Sequence, residues 1–418
     1  MAISSAIFCD VKSEAIPHHR QVKSKSSYLP HLDGLRALAI LGILFEHFGM
    51  VLPPLLRCGP LGVRFFFVLS GYFITLSLWK LQAEVAESNG GRFLPLCRFY
   101  LRRLVRIGPP FYLALLVGAL FGIEEVRTNL FWLATFQANN YIAWLGYWPN
   151  SISHFWSLAV QEQFYLLWPV LVLTLPRRWF LPVMAAFIVF GLVFRFCCIA
   201  GEVSTLTRWV TIFGCVDSFA VGAFIAYMKR ARLLDRMPFL SSTILFAMPL
   251  AAFGCFFMGR ALMTLPENNL FLALTETVDA VFLAWALAAA LVGGTGRYIR
   301  LLSWSPLVYL GRISYGIYVY HVFVIILISP LLVRYGVTDT HLSFLRIGIL
   351  LVLTVAVSAL SWHYMEQPFL AWRNQARAAS GRKAERPQEE VVSPVPVWAL
   401  LPGVNAFRRI SSTLAALI

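Results

Sequence analysis

Charged residues are scarce in this chain. Only 13% of its 418 residues are Asp, Glu, Lys or Arg, whereas 59% are hydrophobic. A soluble globular domain carries about 25% charged residues. The deficit excludes a soluble enzyme and predicts a polytopic membrane protein.

Acidic residues are scarcer than basic ones, with 20 Asp and Glu against 35 Lys and Arg, so the net charge is +15. In a soluble protein this excess would suggest a nucleic-acid partner. Here the positive-inside rule explains it, because 25 Lys and Arg fall in segments predicted to be inside and five in segments predicted to be outside. We therefore predict an all-α bundle of about ten transmembrane helices with both termini inside. The predicted spans are 32–52, 60–79, 108–123, 156–175, 180–200, 209–228, 241–263, 270–292, 307–332 and 343–365.

Cysteine is also sparse. The seven cysteines are scattered and show neither CxxC nor paired Cys/His spacing. The pattern predicts neither a disulfide framework nor a metal site.

The two ends of the chain lack the hydrophobic runs of its middle. Residues 1–28 are polar and basic, without the apolar run of a signal peptide, and are expected to form a cytoplasmic tail. Residues 29–370 are expected to form the transmembrane domain. Their sequence shows no clear internal repeat, which weakens the case for a transporter built from repeats. Residues 371–418 are expected to be a flexible cytoplasmic tail, whose end is either an amphipathic surface helix or disordered.

The first predicted span, 32–52, carries Asp33, Arg36, Glu46 and His47. Ionisable groups at membrane depth are costly and usually mark a functional pathway. Arg36 and His47 are eleven residues apart, so they share one helix face about 16 Å apart along the axis. The alternative is an Arg that snorkels to the interface and a His that a neighbouring helix satisfies.

The second span contains Ser70, Gly71 and Tyr72 near its centre. Small residues there either allow close helix packing or open a narrow slot for a thin substrate. The sequence leaves both interpretations open.

The segment after it is rich in arginine. Arg102, Arg103 and Arg106 gather on one side of a helix by i,i+3 and i,i+4 spacing, and Pro109 suits the start of the third span. Guanidinium groups grip phosphates bidentately, so the cluster suits a phosphorylated cytosolic cofactor. Topology and lipid headgroups alone would also explain much of this basic segment.

The fourth span has a polar stripe. Ser157, Gln161 and Tyr165 follow at four-residue intervals, and Glu162 is placed to pair with Tyr165 at i,i+3. A carboxylate at this depth must be paired, protonated or beside water.

Three further spans bring polar groups to membrane depth. Asp217 lies in span six, Glu276 and Asp279 lie in span eight, and Ser314, Tyr318 and His321 share one face of span nine. With spans one and four, five spans contribute ionisable groups. The pattern predicts one shared polar cavity.

These motifs together resemble the acyltransferase-3 family of integral membrane acyltransferases. The matching pieces occur in the family's order over roughly residues 29–370, and they are LDGLRALAILGILFEHF, GVRFFFVLSGYFI, FYLRRLVRIGPPFY, HFWSLAVQEQFYLLWP, DSFAVG and LGRISYGIYVYHVFV. The resemblance implies a ten-helix domain that moves an acyl group, usually acetyl, from cytosolic acyl-CoA to a hydroxyl of a sugar or similar acceptor. It implies that Arg36 and His47 are essential and that the arginines Arg102–Arg106 are associated with the donor.

The chain departs from the family pattern in two places. Family members commonly carry two adjacent acidic residues where this chain has Gln161-Glu162. Many also carry an extracytoplasmic hydrolase-like domain, for which the residues after 370 leave no room, so we expect a standalone member.

The sequence therefore predicts a membrane O-acyltransferase of a bacterial inner membrane, with acyl-CoA as co-substrate and no bound cofactor or metal. His47 is the predicted general base or a transient acyl carrier, Glu162 orients it or the acceptor, and Arg36 orients the thioester or stabilises negative charge on its oxygen. The rival prediction is a transporter or flippase without covalent chemistry, since buried carboxylates and histidines are equally typical of proton-coupled carriers. The residues assigned to substrate binding are Ser70, Gly71, Tyr72, Arg102, Arg103, Arg106, Tyr165, Asp217, Ser314, Tyr315, Tyr318 and His321.

Overall fold

A computed structural model describes residues 28–49, 58–87, 93–237, 254, 269–293, 296–337 and 343–369. Fifteen α-helices and no strand lie within these residues, which confirms the all-α prediction. In chain order the helices are α1 (Pro30–His47), α2 (Cys58–Glu87), α3 (Phe93–Leu120), α4 (Glu124–Thr128), α5 (Leu130–Ala134), α6 (Ala138–Leu145), α7 (Phe155–Thr174), α8 (Phe180–Ala200), α9 (Thr205–Val210), α10 (Ile212–Arg230), α11 (Asn269–Val292), α12 (Arg297–Leu302), α13 (Ser305–Arg312), α14 (Ser314–Arg334) and α15 (Ser343–Ser361).

Seven segments among the described residues are long and apolar enough to cross a membrane. They are Cys58–Val85, Pro95–Leu120, Arg177–Ala200, Thr205–Arg230, Ala273–Val292, Ser314–Arg334 and Phe344–Phe369. The protein is thus a multi-pass integral membrane protein. The count of ten spans and the inside location of both termini stay predictions. Outside the described residues lie the predicted span 241–263 apart from residue 254, the N-terminal tail apart from residue 28, and the whole C-terminal tail.

The third span begins earlier than predicted. Helix α3 starts at Phe93, so Pro109 and Pro110 lie inside it and Pro109 does not open it. Proline is tolerated inside a membrane helix where neighbouring side chains bind the freed backbone groups. Pro109 and Pro110 leave the carbonyls of Val105 and Arg106 without their helical donors. Tyr315 donates a hydrogen bond to the neighbouring Ile107 carbonyl at 2.6 Å, and Tyr320 donates one to the Pro110 carbonyl at 3.4 Å, so α14 holds this turn of α3.

The ninth predicted span is interrupted. Ile313, with φ −88° and ψ 6°, separates α13 from α14, so Ser314 is the first residue of a helix. A Cβ on Gly311 would lie 1.9 Å from the Asp33 carbonyl oxygen, so only glycine allows α13 to pack this closely on α1. The break therefore brings Ser314 next to the first turns of α1.

Glycines also join α2 to α10. A Cβ on Gly71 would lie 2.1 Å from the Phe219 carbonyl oxygen, and one on Gly222 would lie 2.0 Å from that of Val68. The position at Gly71 is therefore filled by the backbone of α10, which supports the packing interpretation over an open slot. Tyr72 is buried in the same apolar core.

Candidate active site

A tight group of polar side chains joins α2 to α7. The Ser70 hydroxyl lies 2.8 Å from the Tyr165 hydroxyl, and the Gln161 amide donates to both, at 2.6 Å to Ser70. The Arg103 guanidinium lies over the Tyr165 ring, 4.4 Å from its centre. The predicted i,i+4 stripe on α7 therefore forms, and α3 supplies its cation.

Glu162 lies beside this group without joining its hydrogen bonds. Tyr165 bonds to Gln161 and Ser70, so the predicted pairing of Glu162 with Tyr165 is wrong. One Glu162 carboxylate oxygen is buried and has no hydrogen-bond partner among the described residues. Arg103 lies within electrostatic range of this carboxylate, which makes Arg103 its balancing charge.

Arg36 reaches the same region from α1. It donates to the Asp33 carboxylate at 3.2 Å and to the Ser314 hydroxyl at 3.1 Å. Arg106 and Tyr165 lie within electrostatic range of its guanidinium. The predicted residues of α1, α3, α7 and α14 thus converge on one end of the site, which we call the arginine end (Arg36, Arg103, Arg106, Glu162 and Tyr165).

Sequence reasoning missed Glu366 at the arginine end. This carboxylate is buried, accepts a 3.4 Å hydrogen bond from Ser361, and lies within electrostatic range of Arg36 and Arg106. It sits in a π-helical turn, Trp362–Glu366, that follows α15. Such turns are frequent at functional sites. In the sequence, Glu366 is a single acidic residue at the end of the last apolar run, where it resembles an ordinary residue that flanks a transmembrane helix.

His47 is the last residue of α1, because the helix ends there and not at residue 52 as predicted. Its side chain is exposed, and its Nδ1 lies 2.9 Å from the Ile43 carbonyl oxygen. The His321 ring of α14 contacts it, with ring centres 4.8 Å apart.

Tyr318 connects these histidines to α7. Its hydroxyl lies 2.5 Å from the Ser157 hydroxyl and also donates to the carbonyl oxygen of His154. His154, which caps the start of α7, is buried and contacts the His321 ring at 5.1 Å. We call His47, His154 and His321 the histidine end of the site.

His154 is the second residue that sequence reasoning missed. It opens the fourth motif, but it precedes the predicted span by two positions, so its contact with α14 could not be foreseen.

Asp217 lies in a different cluster. Its carboxylate pairs with the Arg195 guanidinium at 2.8 Å, and both side chains are fully buried. Glu276 lies 3.6 Å from Arg195, and Arg64 donates to Ser218 at 3.2 Å. The prediction of one shared cavity is therefore wrong, because the ionisable groups divide between two clusters.

The two clusters lie on different sides of α10. Asp217 faces α8 and α11, whereas Phe219 faces α7 and stacks on Phe164 with ring centres 4.0 Å apart. The roles of Asp217 and of Tyr72 in substrate binding stay predictions, and both side chains are buried. Arg195, which sequence reasoning also missed, is the cation that neutralises Asp217.

Comparison with known proteins shows which family the chain is similar to. A family profile described as an acyltransferase domain matches residues 29–363. The chain is 27% identical over 380 residues to the peptidoglycan O-acetyltransferase of Listeria monocytogenes, covering 84% of this chain and 57% of that protein. It is 30% identical over 382 residues to a putative peptidoglycan O-acetyltransferase of Bacillus subtilis, covering 84% and 55%. It is 27% identical over 367 residues to an O-acetyltransferase of Staphylococcus aureus, covering 82% and 57%.

The chain thus spans a little over half the length of these curated relatives. No solved structure matches it.

Proposed function

Because the chain belongs to the acyltransferase-3 family, we propose that it is a membrane-embedded O-acetyltransferase. In this proposal it moves an acetyl group from cytosolic acyl-CoA to a hydroxyl of a glycan. The observation that carries the proposal is the arrangement of α1, which carries Arg36 among the arginines and ends at His47 among the histidines. One helix then links a cluster suited to a phosphorylated donor with a cluster suited to proton transfer.

The arginine end is the proposed donor site. Arg106 is exposed and Arg102 and Arg103 are half-buried, so a ligand can approach this side of α3. Guanidinium groups bind phosphates in a bidentate manner, which suits the phosphates of acyl-CoA. Arg36 lies about 16 Å along α1 from His47, so it is placed to hold the phosphate end of the donor rather than the thioester that reacts at His47. Its predicted action on the thioester does not fit transfer at His47.

The histidine end is the proposed site of proton transfer. A carbonyl oxygen only accepts hydrogen bonds, so Nδ1 of His47 donates to Ile43 and Nε2 is left as the basic nitrogen. In direct transfer, Nε2 takes the proton of the acceptor hydroxyl as its oxygen bonds to the acyl carbon. The carbon–sulfur bond breaks, and His47 returns the proton to the leaving sulfur.

A second scheme uses the same atoms. Nε2 of His47 attacks the thioester carbon, the carbon–sulfur bond breaks, and the CoA thiolate leaves while the acyl group rests on the imidazole. The acceptor oxygen then bonds to the acyl carbon, the carbon–nitrogen bond breaks, and the hydroxyl proton passes to the released thiolate. Glu162 lies at the arginine end with Tyr165, to which Ser70 is hydrogen-bonded, so its predicted role in orienting the imidazole or the acceptor stays a prediction. Both schemes need Nε2 free of a proton.

The acceptor in this proposal is a cell-envelope glycan. The relatives from Listeria monocytogenes and Bacillus subtilis are named for peptidoglycan, and both organisms are bacteria. We accordingly place the protein in a bacterial plasma membrane, with peptidoglycan or a related polysaccharide as its substrate.

The direct test uses membranes that contain the protein, acetyl-CoA labelled in the acetyl group, and isolated peptidoglycan as probe. Alkali-labile label on the glycan supports the proposal, with membranes lacking the protein as control. Uptake of label or glycan into vesicles without covalent transfer would instead identify a carrier and overturn the proposal.

A further inference from the structure

Three imidazole rings form a row from the end of α1 into the protein interior. The rings of His47 and His321 are nearly perpendicular, at 85°, with centres 4.8 Å apart. Those of His321 and His154 meet at 75° and 5.1 Å. His47 is exposed, whereas His321 and His154 are buried, so only the first can meet an acceptor from outside.

Backbone carbonyls fix the proton positions on the two buried rings. Nδ1 of His321 lies 2.7 Å from the Tyr318 carbonyl oxygen, and Nε2 of His154 lies 3.4 Å from that of Val319. Because a carbonyl can only accept, each of these nitrogens carries the hydrogen of a neutral ring. The opposite nitrogens, Nε2 of His321 and Nδ1 of His154, therefore carry lone pairs.

These two lone pairs are buried without a hydrogen-bond partner among the described residues. Buried polar atoms are normally satisfied, so an exception calls for an explanation. Nδ1 of His321 points to its own helix backbone, so Nε2 lies on the ring edge directed away from α14, where α1 and α7 pack. A donor that becomes available only in the reacting state would account for the vacant lone pair.

Among the described residues, few charged or titratable groups surround this row. Tyr318 lies on the same helix and His154 on α7, and Phe155 and Phe323 supply apolar walls. On α1, the neighbouring Glu46 uses its carboxylate to accept a hydrogen bond from the Gly59 backbone at 2.8 Å.

Arg346 of α15 approaches the end of α1 near Gly49, where its guanidinium would lie 4.0 Å from an added Cβ. Within the described residues no carboxylate is hydrogen-bonded to His47, so none of these residues is the acidic partner that supports the base in a Ser-His-Asp triad.

We propose that His321 is a positioning residue for His47: as a neutral imidazole it holds the His47 ring edge-on and stabilises its protonated form through the unprotonated Nε2. In a perpendicular pair the edge of one ring meets the face of the other. The unprotonated Nε2 is the electron-rich point on the edge of the neutral His321 ring, so a His321 edge turned to His47 through Nε2 attracts the protonated form of His47. His154 keeps His321 in place from the far side. The inference rests on the proposed function, in which His47 gains and returns a proton.

Two amide substitutions separate this role from simple packing. The amide of His321→Gln reaches the position of Nε2 and offers an acceptor there. The amide of His321→Asn reaches the position of Nδ1, keeps the bond to Tyr318 and removes the acceptor. We expect kcat of the Asn variant to fall about 10- to 100-fold, because that is the effect of losing a hydrogen bond to a charged group. The KM values for acetyl-CoA and for the glycan should not change. The Gln variant should retain most activity, whereas a packing role predicts similar losses in both.

A second readout does not need catalysis. Diethyl pyrocarbonate modifies only unprotonated imidazole, and mass spectrometry of the detergent-purified protein gives its rate at His47 as a function of pH. Loss of His321 support favours the unprotonated form, so in His321→Asn the curve for His47 should move to lower pH. If the Asn variant does not fold, His321→Leu takes its place, and its His47 curve should also move to lower pH. His321→Gln should leave the His47 curve where it is in the wild-type protein. Exposed His363 is the internal control, whose curve should not move in any variant.

An unmoved His47 curve in both folded Asn and Leu variants would overturn the proposal. Equal kcat losses in the Gln and Asn variants would also overturn it. If the wild-type protein transfers no acetyl group, the proposed function fails, and the modification curves alone then decide whether His321 supports protonated His47.

Discussion

At the scale of single residues, the arginines differ in whether protein groups satisfy them or a ligand can reach them. Arg195 is fully buried, and it donates to the Asp217 carboxylate at 2.8 Å, to the Gly214 carbonyl at 2.7 Å and to the Ala273 carbonyl at 3.1 Å. A buried cation satisfied in this way is structural, because removing either partner leaves an uncompensated charge. Arg106, by contrast, is exposed at the arginine end, where the proposed donor can reach it.

Changing Arg103 and Arg106 together to Ala should raise KM for acyl-CoA about tenfold or more, because each guanidinium loses charge-assisted bonds to phosphate. Protein levels should stay normal. Lys at both positions should restore KM only in part, because the bidentate fork is lost. The matched control changes Arg177 and Arg178, which are exposed in the short 3-10 helix Arg177–Trp179, to Ala. An unchanged KM for acyl-CoA in the Arg103/Arg106 variant would mean that these arginines only set the orientation of the protein in the membrane and do not bind the donor.

Residues of one helix were the predictable part of the site. Gln161 and Tyr165 lie four apart on α7, and their contact follows from helical geometry. Contacts between helices could not be predicted in this way. The contact of His154 with His321 depends on how α7 packs against α14. The position of Glu366 depends on a π-helical turn, which the periodicity of apolar residues does not predict.

At the scale of helices, α2 and α10 cross so closely that their backbones are in contact. Gly71 and Gly222 allow each backbone to lie against the other, and small residues of this kind drive helix association in membranes. The existence of both helices followed from their apolar length. Helix ends were less predictable. Pro109 marks a helix start in most contexts yet lies inside α3, and the break at Ile313 has no proline to announce it.

Gly71→Ala should destabilise the protein, because the new methyl group would lie 2.1 Å from the Phe219 carbonyl oxygen. Overpacking of this kind costs about 1–3 kcal/mol. Gly348→Ala on α15 is the matched control, since no atom lies within 4 Å of its added Cβ, and better helix propensity should leave it as stable or slightly more stable. Thermal unfolding in detergent measures both. Equal midpoints for the two variants would mean that α2 and α10 do not approach this closely.

At the scale of the whole molecule, α1 connects the two ends of the site. Arg36 and His47 are eleven residues apart on one helix, which separates the clusters by about 16 Å along its axis. That distance is about half the hydrocarbon thickness of a bilayer. In the proposed function, a donor bound at the arginines extends its acyl arm along α1 to the imidazole of His47, and the acceptor meets it there.

The most direct test of this account is the rate of acetyl transfer by His47→Gln, measured per folded molecule in proteoliposomes. Glutamine keeps the size and a hydrogen bond of histidine but cannot take up a proton near neutral pH. We expect transfer to fall by at least about 100-fold, the usual contribution of a general base. Acyl-CoA should still protect the variant against thermal unfolding, because the arginine end is intact. Transfer at a near wild-type rate by a well-folded His47→Gln protein would contradict both the general-base and the acyl-imidazole schemes.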